Sequence, residues 1–399
     1  MPDVMAVLAE VIGTPTATAD VTAALANGAR TARRFHLPEL DVVRFIAFFL
    51  VFLYHVFQHG PESYERYFGH TASRFFAGLA NAFGFGLCLF FFLSAYLISE
   101  LLLREQTISG TISIKRFYQR RALRIWPLYF FGVAIGMAIA IAQRSIDDIR
   151  HFLAFTVFAG NWSLMGRDWS ENPMTVLWSI SIEEQFYIVW PLVIKFAGSA
   201  GTWFVAVLIS LASVSETTRL ANAGADLSVM VWYNTLVQFL MFTAGTFYAL
   251  YLRGRLPSLS TASRLTIAAL GAMAWLVAAI VCRSKGNGPA QPGALVPIGY
   301  VLTAVGCVLI VTSILGIKAR MPRALVYLGR ISFGLYVYHA LALYLVGLAT
   351  SKLGLHAATL KTSPIAFALT VAMAAVSYRY FEVPFLKMKN RLATVDTML

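Results

Sequence analysis

Apolar runs of about twenty residues recur along nearly the whole chain, and a run of that length is what a helix needs to cross the hydrocarbon of a bilayer. They fall at residues 40–60, 82–103, 125–142, 176–196, 202–214, 229–252, 265–282, 295–317, 325–348 and 364–385. The pattern predicts an all-α, polytopic integral membrane helix bundle with about ten transmembrane helices. Charge is scarce to match. Only 13% of residues are charged and 58% are hydrophobic, where soluble domains carry roughly 25% charged residues.

An even number of crossings leaves both termini on one side, and the basic residues choose which. Assigning Lys and Arg to alternate connections gives 21 on the side of the termini and 10 on the other, with Arg379 inside the last run. The excess places N- and C-termini in the cytoplasm, in a multi-pass protein of the cytoplasmic (inner) membrane. The same rule accounts for the net charge of +13 without a nucleic-acid partner. Residues 1–38 read as a flexible cytoplasmic tail, 39–387 as the membrane domain and 388–399 as a second cytoplasmic tail. The first residues have acids early and their arginines late (Arg30, Arg33, Arg34), the reverse of a secretory signal. Cys88, Cys282 and Cys307 show no paired spacing, so neither a disulfide framework nor a metal site is expected.

Four stretches carry ionisable groups where they are costly. In "LDVVRFIAFFLVFLYHVFQHG" Arg44 and His55 are eleven residues apart, which is three helical turns on one face and about 16 Å along the axis. Ionisable residues at membrane depth face a bundle interior or a watery cavity, and mark function by default. Snorkelling to headgroups is the plain alternative for Arg44, and a structural hydrogen bond for His55. In "TVLWSISIEEQFYIVWPLV" helical spacing aligns Ser179, Glu183 and Tyr187. A buried carboxylate there calls for a partner such as a histidine, whereas Glu184 is expected to face water at the membrane boundary.

In "RFYQRRALRIWPLY" Arg121 and Arg124 form a ready phosphate clamp, or else simply set topology. In "LGRISFGLYVYHALALYLV" Ser332, Tyr336 and His339 share a face. Arg379 and Glu382, one turn apart near the end, are expected to neutralise each other. Ser94 lies in an aromatic span as interface glue or as a site residue. Residues 151–162 are apolar but too short to cross, and suggest a re-entrant or interfacial segment. Trp162, Trp169 and Asn172 nearby could stack on or bond to a sugar, or anchor at the interface. No nucleophile elbow, Walker loop or dinucleotide fingerprint is present.

Taken together, "LDVVRFIAFFLVFLYH", "FFFLSAYLIS", "RRALRIWPLY", "WSISIEEQFYIVWP", "LGRISFGLYVYH" and "FEVPFL" resemble the membrane proteins called acyltransferase family three. That family includes acetylases of O-antigen, exopolysaccharide and nodulation factors, and macrolide acyltransferases. The resemblance runs from about Leu40 to Leu386 and rests on the order and spacing of all six blocks. One departure is Ala95, where the family often has Gly. The resemblance implies about ten core helices and an acyl-CoA donor, most simply acetyl-CoA, with no metal. It also implies functional roles for Arg44, His55, Arg121, Arg124 and the carboxylate of the WSxSxEEQ block, here Glu183, with Trp178 and Ser179 beside it. Many members carry a fused hydrolase-like domain, so such a partner would here be a separate protein.

The expected mechanism follows. Arg121 and Arg124, with Arg44 at the mouth, hold the CoA phosphates. His55 takes the proton of an acceptor hydroxyl while Glu183 orients the imidazole, or His55 carries the acyl group itself. Ser94, Trp178, Ser179, Ser332, Tyr336 and His339 support or contact substrate. The acceptor is a glycan, a lipid-linked sugar or a macrolide-type molecule, in a setting of membrane lipids. The rival reading is a transporter in which His55, Glu183 and His339 relay protons.

Overall fold

The structure, a computed structural model, describes residues 37–165, 170–354 and 359–392. The proposed tail over residues 1–36, Trp169, and residues 393–399 lie outside the described residues. No β-strand occurs among the described residues, and one isolated bridge joins Asp226 to Pro289.

Eight helical tracts among the described residues are long and apolar enough to cross a membrane. The protein is an all-α, polytopic membrane protein. All ten expected runs land on helix, and two local features explain the different count. The tract Pro173–Asn222 holds two of the runs and breaks at Gly198, whose φ of 63° suits glycine and strains any residue with a Cβ. The first run is α1 (Pro38–Val56), long enough to cross but carrying Glu39, Asp41 and Arg44. Pro38 at its first turn and the two acids behind it favour a helix start there.

Next come α2 (Glu62–Phe83), α3 (Phe85–Ser109) and α4 (Ile114–Ala142). Two short helices follow, α5 (Ile146–Phe155) and α6 (Gly160–Leu164). These hold the run 151–162. Neither is long enough to cross, and both lie packed on the bundle: Phe152 and Phe155 are fully buried, and the Tyr129 hydroxyl donates to the Phe155 carbonyl at 2.7 Å. The long α7 (Trp178–Asn222) leads to α8 (Thr235–Leu252), α9 (Thr261–Ile280) and α10 (Leu295–Ile314). A short α11 (Arg323–Arg330) precedes α12 (Ser332–Lys352) and α13 (Thr359–Ser377). A π turn, Tyr378–Glu382, then opens α14 (Val383–Arg391).

The core is one connected apolar cluster in which α3 is central. Phe85, Phe91, Phe92 and Tyr96 on it are all nearly fully buried. Against α3 pack α1 on one side and α8 on the other. α11 lies so close on α1 that a Cβ at Gly329 would collide with the Asp41 carbonyl. α14 packs on α4, so residues 388–391 belong to the folded domain and not to a tail. Lys389 is buried there.

Candidate functional site

One cavity gathers eight of the eleven residues singled out from sequence: Arg44, Ser94, Arg121, Arg124, Ser179, Glu183, Ser332 and Tyr336. They come from α1, α3, α4, α7 and α12, so no single motif could have shown that they meet. Arg330, Glu382 and Lys389 complete the wall. The cations Arg44, Arg121, Arg124, Arg330 and Lys389 outnumber the carboxylates Asp41, Glu183 and Glu382 on this lining, which suits a ligand with several negative charges.

The arginines differ in how firmly the protein occupies them. Arg44 reaches Asp41 at 3.4 Å, one turn back on its own helix, and Arg330 lies 3.9 Å from the same carboxylate. Arg44 thus lines a cavity and does not snorkel. Arg121 lies over the Phe117 and Tyr187 rings, 5.5 and 5.4 Å from their centroids. Neither Arg121 nor Arg124 has an ion-pair partner within 4 Å among the described residues. Arg120, their neighbour, is instead committed to the structure, donating to Glu105 at 2.8 Å and to the Leu392 carbonyl at 3.3 Å.

Glu183 accepts from the Ser94 hydroxyl at 3.1 Å and from the Tyr187 hydroxyl at 3.0 Å. The expected one-face spacing of Ser179, Glu183 and Tyr187 holds, but the expected Glu183–His55 hydrogen bond does not form. Both carboxylate oxygens are taken from α3 and from Glu183's own helix, on the arginine side of the site. Glu184 corrects another expectation. It is buried, not at a water boundary, and accepts from the Trp126 indole at 3.1 Å while its second oxygen has no partner among the described residues. The Arg379–Glu382 pair is absent too. Arg379 is exposed and lies over the Tyr380 ring, while Glu382 turns inward and accepts from Ser377 at 3.3 Å.

His55 stands at the other end of α1. Its Nδ1 lies 2.8 Å from the Val51 carbonyl. A carbonyl only accepts, so Nδ1 carries the proton and the neutral ring presents the lone pair of Nε2. The ring is exposed and meets His339 edge to face, 4.9 Å between centroids. His339 is fully buried, bonded through Nδ1 to the Tyr336 carbonyl at 2.5 Å, with Nε2 unpartnered. Tyr336 completes the link to the arginine cavity: its hydroxyl donates to the Val176 carbonyl at 2.9 Å and accepts from Ser179 at 2.7 Å. No side-chain hydrogen bond joins Glu183 to His55 among the described residues.

Trp178 lies outside the cavity, buried against Tyr233 and Trp232 at 4.6 and 6.3 Å. Asn172 is buried and spent on structure, bonding the Gly136 carbonyl and capping Met174, so it is not free to bind a sugar. Trp162 is 55% exposed, with its indole on Thr235. Sequence reasoning missed Lys389 and Arg330 as cavity residues. Both sit in ordinary basic clusters near helix ends, and only the packing of α14 on α4 and of α11 on α1 turns them inward. Among the described residues no cluster of His, Cys, Asp or Glu could hold a metal ion, and the three cysteines are buried and unpaired.

The chain is 24% identical over 380 residues to a Staphylococcus aureus (strain COL) protein named "Putative O-acetyltransferase", covering 88% of this chain and 58% of that relative. It is 28% identical over 193 residues to the O-acetyltransferase OatA of S. aureus (strain NCTC 8325 / PS 47), covering 44% of this chain and 29% of OatA. The chain thus spans well under two thirds of the length of these relatives. No solved structure matches it significantly. Residues 37–381, from the start of α1 to the π turn before α14, match the acyltransferase domain family, and the chain belongs to that family.

Proposed function

We propose that this protein is a membrane O-acyltransferase that moves an acetyl or other short acyl group from acyl-CoA to a hydroxyl of a cell-surface glycan, a lipid-linked sugar or a macrolide-type acceptor. The observation that carries this reading is the single cavity lined by Arg44, Arg121 and Arg124, with His55 three turns along the helix that bears Arg44. The guanidiniums of Arg121 and Arg124, without an ion pair among the described residues, suit the phosphates of CoA. The roughly 16 Å from Arg44 to His55 is of the order an extended pantetheine arm must cover.

In this reading His55 Nε2 takes the proton of the acceptor hydroxyl as its oxygen attacks the thioester carbonyl. The tetrahedral adduct then expels the CoA thiolate, which is protonated from the imidazolium. The Val51 carbonyl fixes the tautomer that this step needs, the task first expected of Glu183. Glu183 would instead hold Ser94 and Tyr187 beside the arginines. Transfer by way of an acyl-His55 intermediate uses the same atom. With both termini in the cytoplasm of a cell's inner membrane, the arginine cavity would open to the compartment where acyl-CoA is made.

The test uses membranes carrying wild type, His55→Ala and Arg124→Ala with labelled acetyl-CoA and the host's own acceptors. Label should pass to glycan or lipid-linked material with wild type and cease with His55→Ala while CoA still binds. Undiminished transfer by His55→Ala would overturn the mechanism.

A further inference from the structure

Lys285 is the charged group that the arginine cavity leaves unexplained. It lies in the loop between α9 and α10 and is only 4% exposed. Its ammonium is 4.0 Å above the Trp232 ring and 4.9 Å above that of Tyr54, and it makes no ion pair or hydrogen bond among the described residues. Two aromatic faces attract an ammonium, but they do not replace the counter-ion that buried charges normally have. Gly84 packs close by, where a Cβ would sit 3.2 Å from Lys285 Cε and 3.1 Å from the Tyr54 ring.

The polar groups around it have bonding capacity to spare among the described residues. His59 stacks on Tyr54 at 4.1 Å, and its buried Nδ1 has no partner, nor has Oδ1 of the neighbouring Asn81. Tyr54 ties this cluster to the proposed reaction centre, for its ring is also 5.3 Å from that of His55. The arginines that suit CoA phosphates begin about 16 Å away along α1, so an anion here is not one of them.

We infer that the cluster of Lys285, Tyr54, His59 and Trp232 beside His55 is a subsite for an anionic group on the acceptor, a carboxylate of an acidic sugar or a phosphate of a lipid-linked one. The inference rests on the acyltransferase reading for its word "acceptor". The anion supplies the counter-charge that Lys285 lacks among the described residues and anchors the molecule so that one of its hydroxyls meets His55. Trp232 and Tyr54 hold the ammonium in the absence of the ligand.

Binding tests it independently of turnover. Detergent-solubilised full-length protein with saturating CoA, which fills the arginine end, is titrated with methyl glucuronide (carboxylate arm), hexose 1-phosphate (phosphate arm) and methyl glucoside (neutral control). Wild type and Lys285→Arg should bind one of the two anions at least tenfold more tightly than Lys285→Met does, with no such difference for the glucoside. The arm that responds identifies the anion. Thermal melting of each variant shows that it is folded, and a Lys285→Met protein that fails to fold is replaced by comparing Lys285→Gln with Lys285→Arg. Equal affinity of wild type and the uncharged variant for both anions, or no binding of either, overturns the inference. Transfer from labelled acetyl-CoA by His55→Ala, run alongside, fails or stands separately: persistent transfer removes the acyltransferase mechanism but leaves a Lys285-dependent anion site.

Discussion

Arg120 and Arg124 are four residues apart and chemically identical, yet the structure gives them opposite tasks. Arg120 is bound to Glu105, while Arg124 faces the cavity without an ion-pair partner among the described residues. Arg124→Ala is expected to raise the KM for acetyl-CoA about tenfold or more, equivalent to roughly 1.4 kcal/mol or above, with a smaller change in kcat and an unchanged melting temperature. Arg120→Ala should do the reverse, lowering melting temperature by leaving the Glu105 carboxylate buried and unpaired, a loss of about 1–3 kcal/mol, while donor KM stays near wild type. Steady-state kinetics and thermal melting in the same detergent separate the two. Ser94→Ala should behave unlike either. It removes one of the two hydrogen bonds to Glu183 and is expected to lower stability by about 1–3 kcal/mol. Donor KM should rise only modestly, since the Tyr187 hydroxyl remains.

At the scale of single helices the sequence was largely legible, because a twenty-residue apolar run and a 3.6-residue period are properties of one segment. Those rules aligned Ser179 with Glu183 and Tyr187, which line one cavity. They said nothing of which helix meets which. Glu183 was matched to His55 because a carboxylate suits an imidazole, but α3 offered it Ser94 first. Glu382 was matched to Arg379 by proximity in sequence, yet the π turn sends the two side chains apart. Lys389 looked like tail until α14 packed on α4. The helices also turn on two glycines. Gly198→Ala places a Cβ at a φ of 63°, which costs about 1–2 kcal/mol, and the melting temperature should fall accordingly. Gly329→Ala should cost about 1–3 kcal/mol by overpacking, and should also weaken CoA binding, because it pushes α11 off the turn of α1 that holds Asp41 and Arg44. Unchanged CoA affinity in a folded Gly329→Ala protein would show that α11 does not brace the cavity.

For the whole molecule, the distribution of basic residues predicts which face lies in the cytoplasm, and the structure offers exposed positions on opposite faces to check it. Ala319, between α10 and α11, and Asn287, in the Lys285 loop, are both exposed, and the three native cysteines are buried. Asn287→Cys should be labelled by a membrane-impermeant maleimide in spheroplasts, and Ala319→Cys only in inverted vesicles. The opposite result would place the arginine cavity on the outer face, away from cytoplasmic acyl-CoA.

α1 carries Arg44 at one end and His55 at the other on a single unbroken helix, so the distance between grip and reaction cannot adjust to the cargo. Inserting one alanine midway between them would advance His55 by 1.5 Å and swing it about 100° around the axis, out of alignment with His339 on α12. A fixed gauge of this kind measures the part of the donor that every acyl-CoA has in common. Under the proposed reaction, the thioester arrives at the same point whether two carbons or eight follow it. Tolerance for longer acyl groups would then be decided by the space past His55, and enlarging the arginine cavity should not widen it.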